Sequence, residues 1–178
     1  MQLLRGRPQL VYSKGLDGDH PLERAVFHNN LELVKIFLEY DPNLAYIKNE
    51  KTQNTPFITA AQIGLLSIAE EIMRACPDSV YTPNKNGHSA LQEAIGYEQL
   101  EFVDYIIKTP QLHRLINQAT DNGSLPLHNA ARMCNPKLLR SLLSHAGQYY
   151  TAVNVARENA VSIVHAKTDL LKTLKWVN

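Results

Sequence analysis

Seven histidines and two cysteines are the side chains of this 178-residue sequence best suited to hold a metal or move a proton. A zinc site built from them needs paired ligands at short spacing, such as two histidines on one helix face or a Cys-x-x-Cys turn. Neither pattern occurs, and Cys76 and Cys134 lie far apart in the chain. Cys134 stands between Met133 and Asn135, with no base beside it in sequence to draw off the thiol proton. There is no glycine-rich phosphate loop, no Gly-x-Ser-x-Gly elbow and no paired-carboxylate motif. Glu70-Glu71 and the stretch from Glu98 to Glu101 are expected as solvated helix faces. The expectation is a non-enzymatic protein with no catalytic residues, no metal and no cofactor.

The elements that carry these residues repeat. Leu125-Pro126-Leu127-His128-Asn129-Ala130-Ala131, introduced by Asp121-Asn122-Gly123-Ser124, has weaker copies at His20-Pro21-Leu22-Glu23-Arg24-Ala25-Val26, Thr55-Pro56-Phe57-Ile58-Thr59-Ala60-Ala61 and Ser89-Ala90-Leu91-Gln92-Glu93-Ala94-Ile95. Their second residues fall at 21, 56, 90 and 126, in steps of 35, 34 and 36, and a fainter copy at Ser162-Ile163-Val164-His165 implies a step of 37. Thr55, Ser89 or His20 opens a helix by capping free backbone N–H groups, and proline follows where a missing N–H costs nothing. The small pairs Ala60-Ala61 and Ala130-Ala131 allow close approach of neighbouring helices. A second helix follows in each unit, over Leu31 to Leu38, Leu66 to Met73, Leu100 to Ile107 and Lys137 to Leu143. In the first of these, Leu33, Val34, Phe37 and Leu38 form a stripe expected to bury between layers.

Helix ends repeat as well. Pro42, Pro77 and Pro110 each follow a second helix, and Tyr46 and Tyr81 lie four residues past the first two. Leu3 to Tyr12 aligns with Phe37 to Tyr46 at an offset of 34, so the opening residues resemble the tail of a further unit. At the other end, Asp169 to Val177 is an amphipathic stretch with Trp176 as its aromatic anchor, suited to a shortened terminal unit.

Composition narrows the classes further. Hydrophobic residues make up 44% of the chain, which excludes a disordered segment. Lys and Arg number 18 against 17 Asp and Glu, a net charge of +1 with scattered basic residues, so a nucleic-acid partner is not expected. No apolar run approaches the roughly 20 residues that span a bilayer, and the first residues lack the apolar centre of a signal peptide. Two buried thiols without a disulfide framework fit a reducing compartment, so a cytoplasmic location is expected.

A period of this length with a Thr-Pro-Leu-His-x-Ala-Ala core resembles the ankyrin repeat. The resemblance implies an all-α solenoid of stacked antiparallel helix pairs joined by long hairpin-like loops. It divides one domain, 1–178, into a partial unit at 1–16, repeats at 17–51, 52–85, 86–121 and 122–157, and a shortened unit at 158–178. It also implies that His128 and His165 tie neighbouring turns together through ring hydrogen bonds. Partners of such arrays touch the hairpin tips and the ends of the first helices. Carried onto this sequence, the partner-binding face comprises Arg24, Phe27, His28, Asn54, Gln62, Ile63, His88, Glu93, Tyr97, Ser124, Arg132 and Met133. Phe27, Ile63, Tyr97 and Met133 supply one large apolar side chain per repeat, rimmed by Arg24, Glu93 and Arg132, the composition of an interface anchor line. Burial of some of these four beneath the long loops is the competing expectation.

Two loops carry a narrower resemblance. Cys76-Pro77-Asp78-Ser79-Val80-Tyr81 ahead of Asn86-Gly87-His88-Ser89-Ala90-Leu91, and Asn117-Gln118-Ala119-Thr120-Asp121-Asn122-Gly123-Ser124-Leu125-Pro126-Leu127-His128, are similar to plant ankyrin-transmembrane proteins. That similarity implies a role in defence signalling beside a membrane-embedded or receptor module lying outside these residues. This segment is then a monomer that binds a protein partner, without inserting into a membrane itself. The alternative is a regulatory cytosolic input domain of a channel-like or immune-receptor protein.

Overall fold

The computed structural model describes residues 8–144 and 152–166. Four helix pairs follow one another: α1 (Pro21–Phe27) with α2 (Leu31–Tyr40), α3 (Pro56–Ile63) with α4 (Leu66–Ala75), α5 (Ala90–Gly96) with α6 (Leu100–Lys108), and α7 (Pro126–Met133) with α8 (Pro136–Leu143). A further helical stretch covers 160–166, and no strand occurs among the described residues. The chain is an all-α solenoid. Its first helices stack in order, α1 on α3, α3 on α5 and α5 on α7, while α2 packs on α4 and α6 on α8. The inner row is built for this: Ala60, Ala61, Ala94, Ala130 and Ala131 are fully buried, and with no side chain beyond Cβ they let backbones approach closely.

Local chemistry sets the helix boundaries. Thr55 Oγ1 accepts from Ile58 N, and Ser89 forms a reciprocal capping box with Gln92. His20 does not cap α1; its ring is buried, and Asp19 Oδ1 and His20 Nδ1 lack hydrogen-bond partners. Each first helix ends on a residue in the left-handed region, Asn29, Gly64, Glu98 or Cys134, which reverses the chain into the second helix. Cys134 is thus a turn residue, its Sγ directed at Ala131 O at 3.4 Å. Both cysteines are half-buried rather than enclosed.

The second helices turn one stripe inward, but its phase differs from expectation in two places. Val34 and Leu38 are buried while Leu33 is exposed, because the helix covers its core with positions four apart. Glu71, expected in solvent, is buried and paired with Arg74. Short 3-10 turns follow at Pro8–Tyr12, Pro42–Tyr46, Pro77–Tyr81 and Pro110–Asn117, so the Pro-to-Tyr signature at the chain start is a real structural copy. Its tyrosines latch onto the next unit. Tyr12 donates to Asp41 Oδ2 at 2.5 Å, which raises the phenol's pKa and lowers that of the carboxyl. The nearby Cys76 thiol raises the Tyr46 phenol's pKa, and Tyr81 donates to Gln111 O. The segments Leu3 to Arg7 and Asp169 to Val177 lie outside the described residues.

The fifth copy has a different register. Asn159 Oδ1 accepts from Ser162 N at 2.8 Å and Ser162 Oγ accepts from Asn159 N at 3.0 Å, so the helix begins at 160 and the step from 126 is 34, not 37. His165 therefore does not stand where His128 does, and it is exposed.

Between the units run hairpins whose tips carry a left-handed residue: Gly18, Gln53, Gly87, Gly123 and Arg157. Gly87 is the most constrained. A Cβ there would lie 2.7 Å from Asp121 N on the next hairpin, whereas at Gly123 the nearest atom is 3.6 Å away. Left-handed backbone alone costs a side chain about 1–2 kcal/mol. Gly123→Ala should lose about 1 kcal/mol in a urea melt and Gly87→Ala at least about twice that, since the backbone of the next hairpin must also shift.

Candidate functional site

Four of the five hairpins are closed by a polar side chain of their own, whereas the first, with Gly15 at that place, is closed by backbone bonds between Gly15 and Asp19 and between Gly18 and Gly15. Asn49 Oδ1 accepts from Lys51 N and Thr52 N, Asn84 Oδ1 from Asn86 N and His88 N, Thr120 Oγ1 from Ser124 N, and Asn154 Oδ1 from Glu158 N. The asparagine amides then point along the stack. Asn49 Nδ2 donates to Glu23 Oε2 at 3.0 Å, Asn84 Nδ2 to Asn54 Oδ1 at 3.3 Å, and Asn154 Nδ2 to Ser124 Oγ at 3.4 Å. Each of these bonds joins a hairpin to the hairpin or first helix one step before it.

The phrase's fourth residue makes a second crossing. His128 Nδ1 accepts from Leu125 N, which puts the ring proton on Nε2, and Nε2 donates to Ala152 O and Glu158 O at 2.9 and 3.2 Å. In the unit before, Gln92 does the same work, taking Ser89 N and giving to Ser124 O at 2.8 Å. Glu23 occupies this place in the first unit, where it accepts from Asn49 and from Thr59 Oγ1 at 3.2 Å.

Glu93 is the busiest carboxylate of the face. It accepts from Asn84 Nδ2 at 2.9 Å and Gln62 Nε2 at 2.8 Å, and its Oε1 lies 2.8 Å from His88 Nδ1. Burial pushes its carboxyl up, but the hydrogen bonds from His88 and Gln62 outweigh burial and hold it below the ordinary glutamate value. Glu23 goes the other way: burial dominates and raises its carboxyl. Glu158 is lowered by Asn154 and by Arg132, whose guanidinium donates to Oε2 at 3.1 Å.

Three hollows lie in line along the hairpins and first helices. The first is bordered by Arg24, Phe27 and His28, the second by Phe27, Asn54, Gln62, Glu93 and Tyr97, and the third by His88, Glu93, Tyr97, Arg132 and Met133. Repeated helix pairs, hairpins stitched together by asparagine and a phrase histidine spanning two loops all point one way, and a family model, Ankyrin repeats (3 copies), matches residues 57–155, more than half of the chain. The chain belongs to the ankyrin-repeat family.

On this ankyrin surface the twelve expected face residues divide. Arg24, Phe27, His28, Ile63, Tyr97 and Met133 are exposed, with Phe27 at 63%, Tyr97 at 58%, and Ile63 and Met133 at 38%. None of the four large apolar side chains is packed beneath a loop. Ile63 nevertheless borders none of the three hollows, although Tyr97 and Met133, at the same place in their repeats, do. Asn54 and Ser124, expected at open hairpin tips, are buried at 5% and 1%. The exposed hairpin residues are instead Asp17, Thr52, Asn86 and Asn122. Gln62, His88, Glu93 and Arg132 are half-exposed and held by the network.

Sequence reasoning missed the floor: Glu23, Asn49, Asn84 and Asn154. A signal existed in Asn49, Asn84, Thr120 and Asn154, polar residues at steps of 35, 36 and 34 where each hairpin begins. Among the described residues no group of three or more His, Cys, Asp or Glu side chains could hold a metal ion, and no helix is long and apolar enough to cross a membrane.

Proposed function

We propose that this ankyrin array is a non-enzymatic interaction module that binds a protein partner across the three hollows, in a signalling role such as plant defence. One observation carries the reading: Phe27, Tyr97 and Met133 stand exposed beside a polar floor whose side chains are already fixed by hydrogen bonds. Exposed aromatic and apolar anchors over a rigid floor lose little entropy on binding and bury well. Affinity capture with the wild-type chain and with Tyr97→Asp/Met133→Asp tests it. Proteins held by the wild type should be lost with the double variant while its thermal melt stays within about 2 °C, as befits surface positions. Equal capture by both would sink the reading, and a collapsed melt would make these residues structural.

The loops Cys76 to Tyr81 and Asn117 to His128, similar to those of plant ankyrin-transmembrane proteins, favour a second reading. In it the same face is a regulatory cytosolic input that contacts an attached channel-like or receptor module.

A further inference from the structure

The middle hollow has an electrostatic imbalance that its neighbours correct and it does not. It encloses about 400 Å³ between Phe27 on one side and Tyr97 on the other, over a floor that includes Glu23, Asn49, Asn84 and Glu93. At its edges the acids have cations: Arg24 donates to Asp19 Oδ2 at 2.9 Å and Lys51 lies 3.5 Å from Asp17. In the third hollow Arg132 reaches Glu158 at 3.1 Å. Glu23 has amide and hydroxyl donors only, from Asn49 and Thr59. Lys85, the one lysine or arginine lining the middle hollow, turns outward to Lys51 O at 3.3 Å. Two carboxylates thus share a partly enclosed space with neutral donors, one imidazole and no lysine or arginine directed at them.

A buried carboxylate without a counter-ion is costly, and the rise in the Glu23 pKa expresses that cost. Entry of a cation between the two carboxylates would remove it. The side walls fit the same guest, since Phe27 and Tyr97 present exposed rings at the mouth, and a cation near an aromatic face is attracted to it. The stem of a lysine or arginine would lie along these rings while its head reached Glu23 and Glu93. Phosphate-bearing ligands are repelled by the same two acids.

We propose that the middle hollow seats one lysine or arginine side chain of an extended segment of the partner protein, held between Phe27 and Tyr97 and neutralised by Glu23 and Glu93. The proposal rests on the hollows being the partner-binding face and adds the chemistry of what they bind.

Random dodecapeptides displayed on phage and selected against the intact chain provide the probe, with the selected peptides synthesised for fluorescence-polarisation titration. The expected outcome is a lysine or arginine at one fixed position of the selected set. Its replacement by leucine should weaken binding roughly tenfold. Phe27→Ala, a change at an exposed ring, should weaken the basic peptide about threefold without altering the melt, and Glu23→Gln should do so in a way that high salt mimics. Peptides lacking a basic residue, or a leucine replacement without effect, would overturn the cation seat. If those peptides are still lost with Tyr97→Asp/Met133→Asp, the binding face stands and only its cation chemistry falls. If they bind that double variant equally well, both fall. Recovery of no binding peptide also overturns the proposal, leaving the face to the capture experiment.

Discussion

Phe102→Ala should be the most damaging single truncation in this chain, lowering stability in urea melts by about 3–5 kcal/mol. The ring is fully buried on α6 and stands edge-on to Phe57 of α3 at 6.0 Å and to Tyr105 at 5.9 Å. It therefore joins the second repeat to the third, and its loss removes area, leaves a cavity and breaks two aromatic pairs, each worth about 0.5–1.5 kcal/mol beyond burial. In a stack whose units touch only their neighbours, weakening one junction also loosens the coupling across it. The transition should broaden, with amide exchange accelerating on both sides of that junction. Leu33→Ala is the control, because Leu33 is exposed, and it should cost less than about 1 kcal/mol. Equal losses from the two substitutions would contradict the packing described.

Glu93→Gln should cost about 2 kcal/mol at pH 7, since donors that now meet a carboxylate would face an amide. Its acceptors serve Gln62 in one repeat and Asn84 and His88 in the next hairpin, so the loss is felt between units. The folded carboxyl lies below 4.5, so its ionised form is favoured by the fold. That stabilisation is complete above 4.5 and disappears as pH falls through the lower folded value. The gap between wild type and Glu93→Gln should therefore narrow as denaturant melts are repeated from pH 7 down to pH 3. Glu23 has the opposite sign: its raised carboxyl stabilises the fold in acid and ceases to do so as pH rises through the folded value. A gap for Glu93→Gln that is flat across this range would show that ionisation plays no part.

Helix starts were legible because they depend on a few adjacent residues: Thr55 or Ser89 as cap and proline just inside. The fifth unit shows the limit of that signal, since Asn159 and Ser162 cap the helix there without a proline. Exposure at the ends of the first helices was also legible at Phe27 and Tyr97. What could not be read locally was anything decided by the adjoining unit. Asn54 and Ser124 look like free loop residues, yet they are covered because Asn84 and Asn154 reach back to them. Glu71 looks like a surface acid in a charged helix, but its side chain folds inward beside Arg74. His20 resembles a cap in type and place, but its ring is buried and does not cap. For Asn54 and Ser124 the outcome belongs to a contact between elements that the periodic pattern does not encode.

The crossing bonds of the hairpins give the array a grammar of adjacency. Asn84 needs Asn54 behind it, Asn154 needs Ser124 behind it, and the ring of His128 needs the carbonyls of Ala152 and Glu158 ahead. A unit lifted from one place and inserted at another would keep its helices and offer the backbone carbonyls that His128 uses, but would change the side chains that Asn84 and Asn154 meet. The fourth residue of the phrase varies from Glu23 through Ile58 and Gln92 to His128, and at Glu23, Gln92 and His128 it bonds to the hairpin ahead, while Ala25, Ala60, Ala94 and Ala130 keep one position of the phrase small.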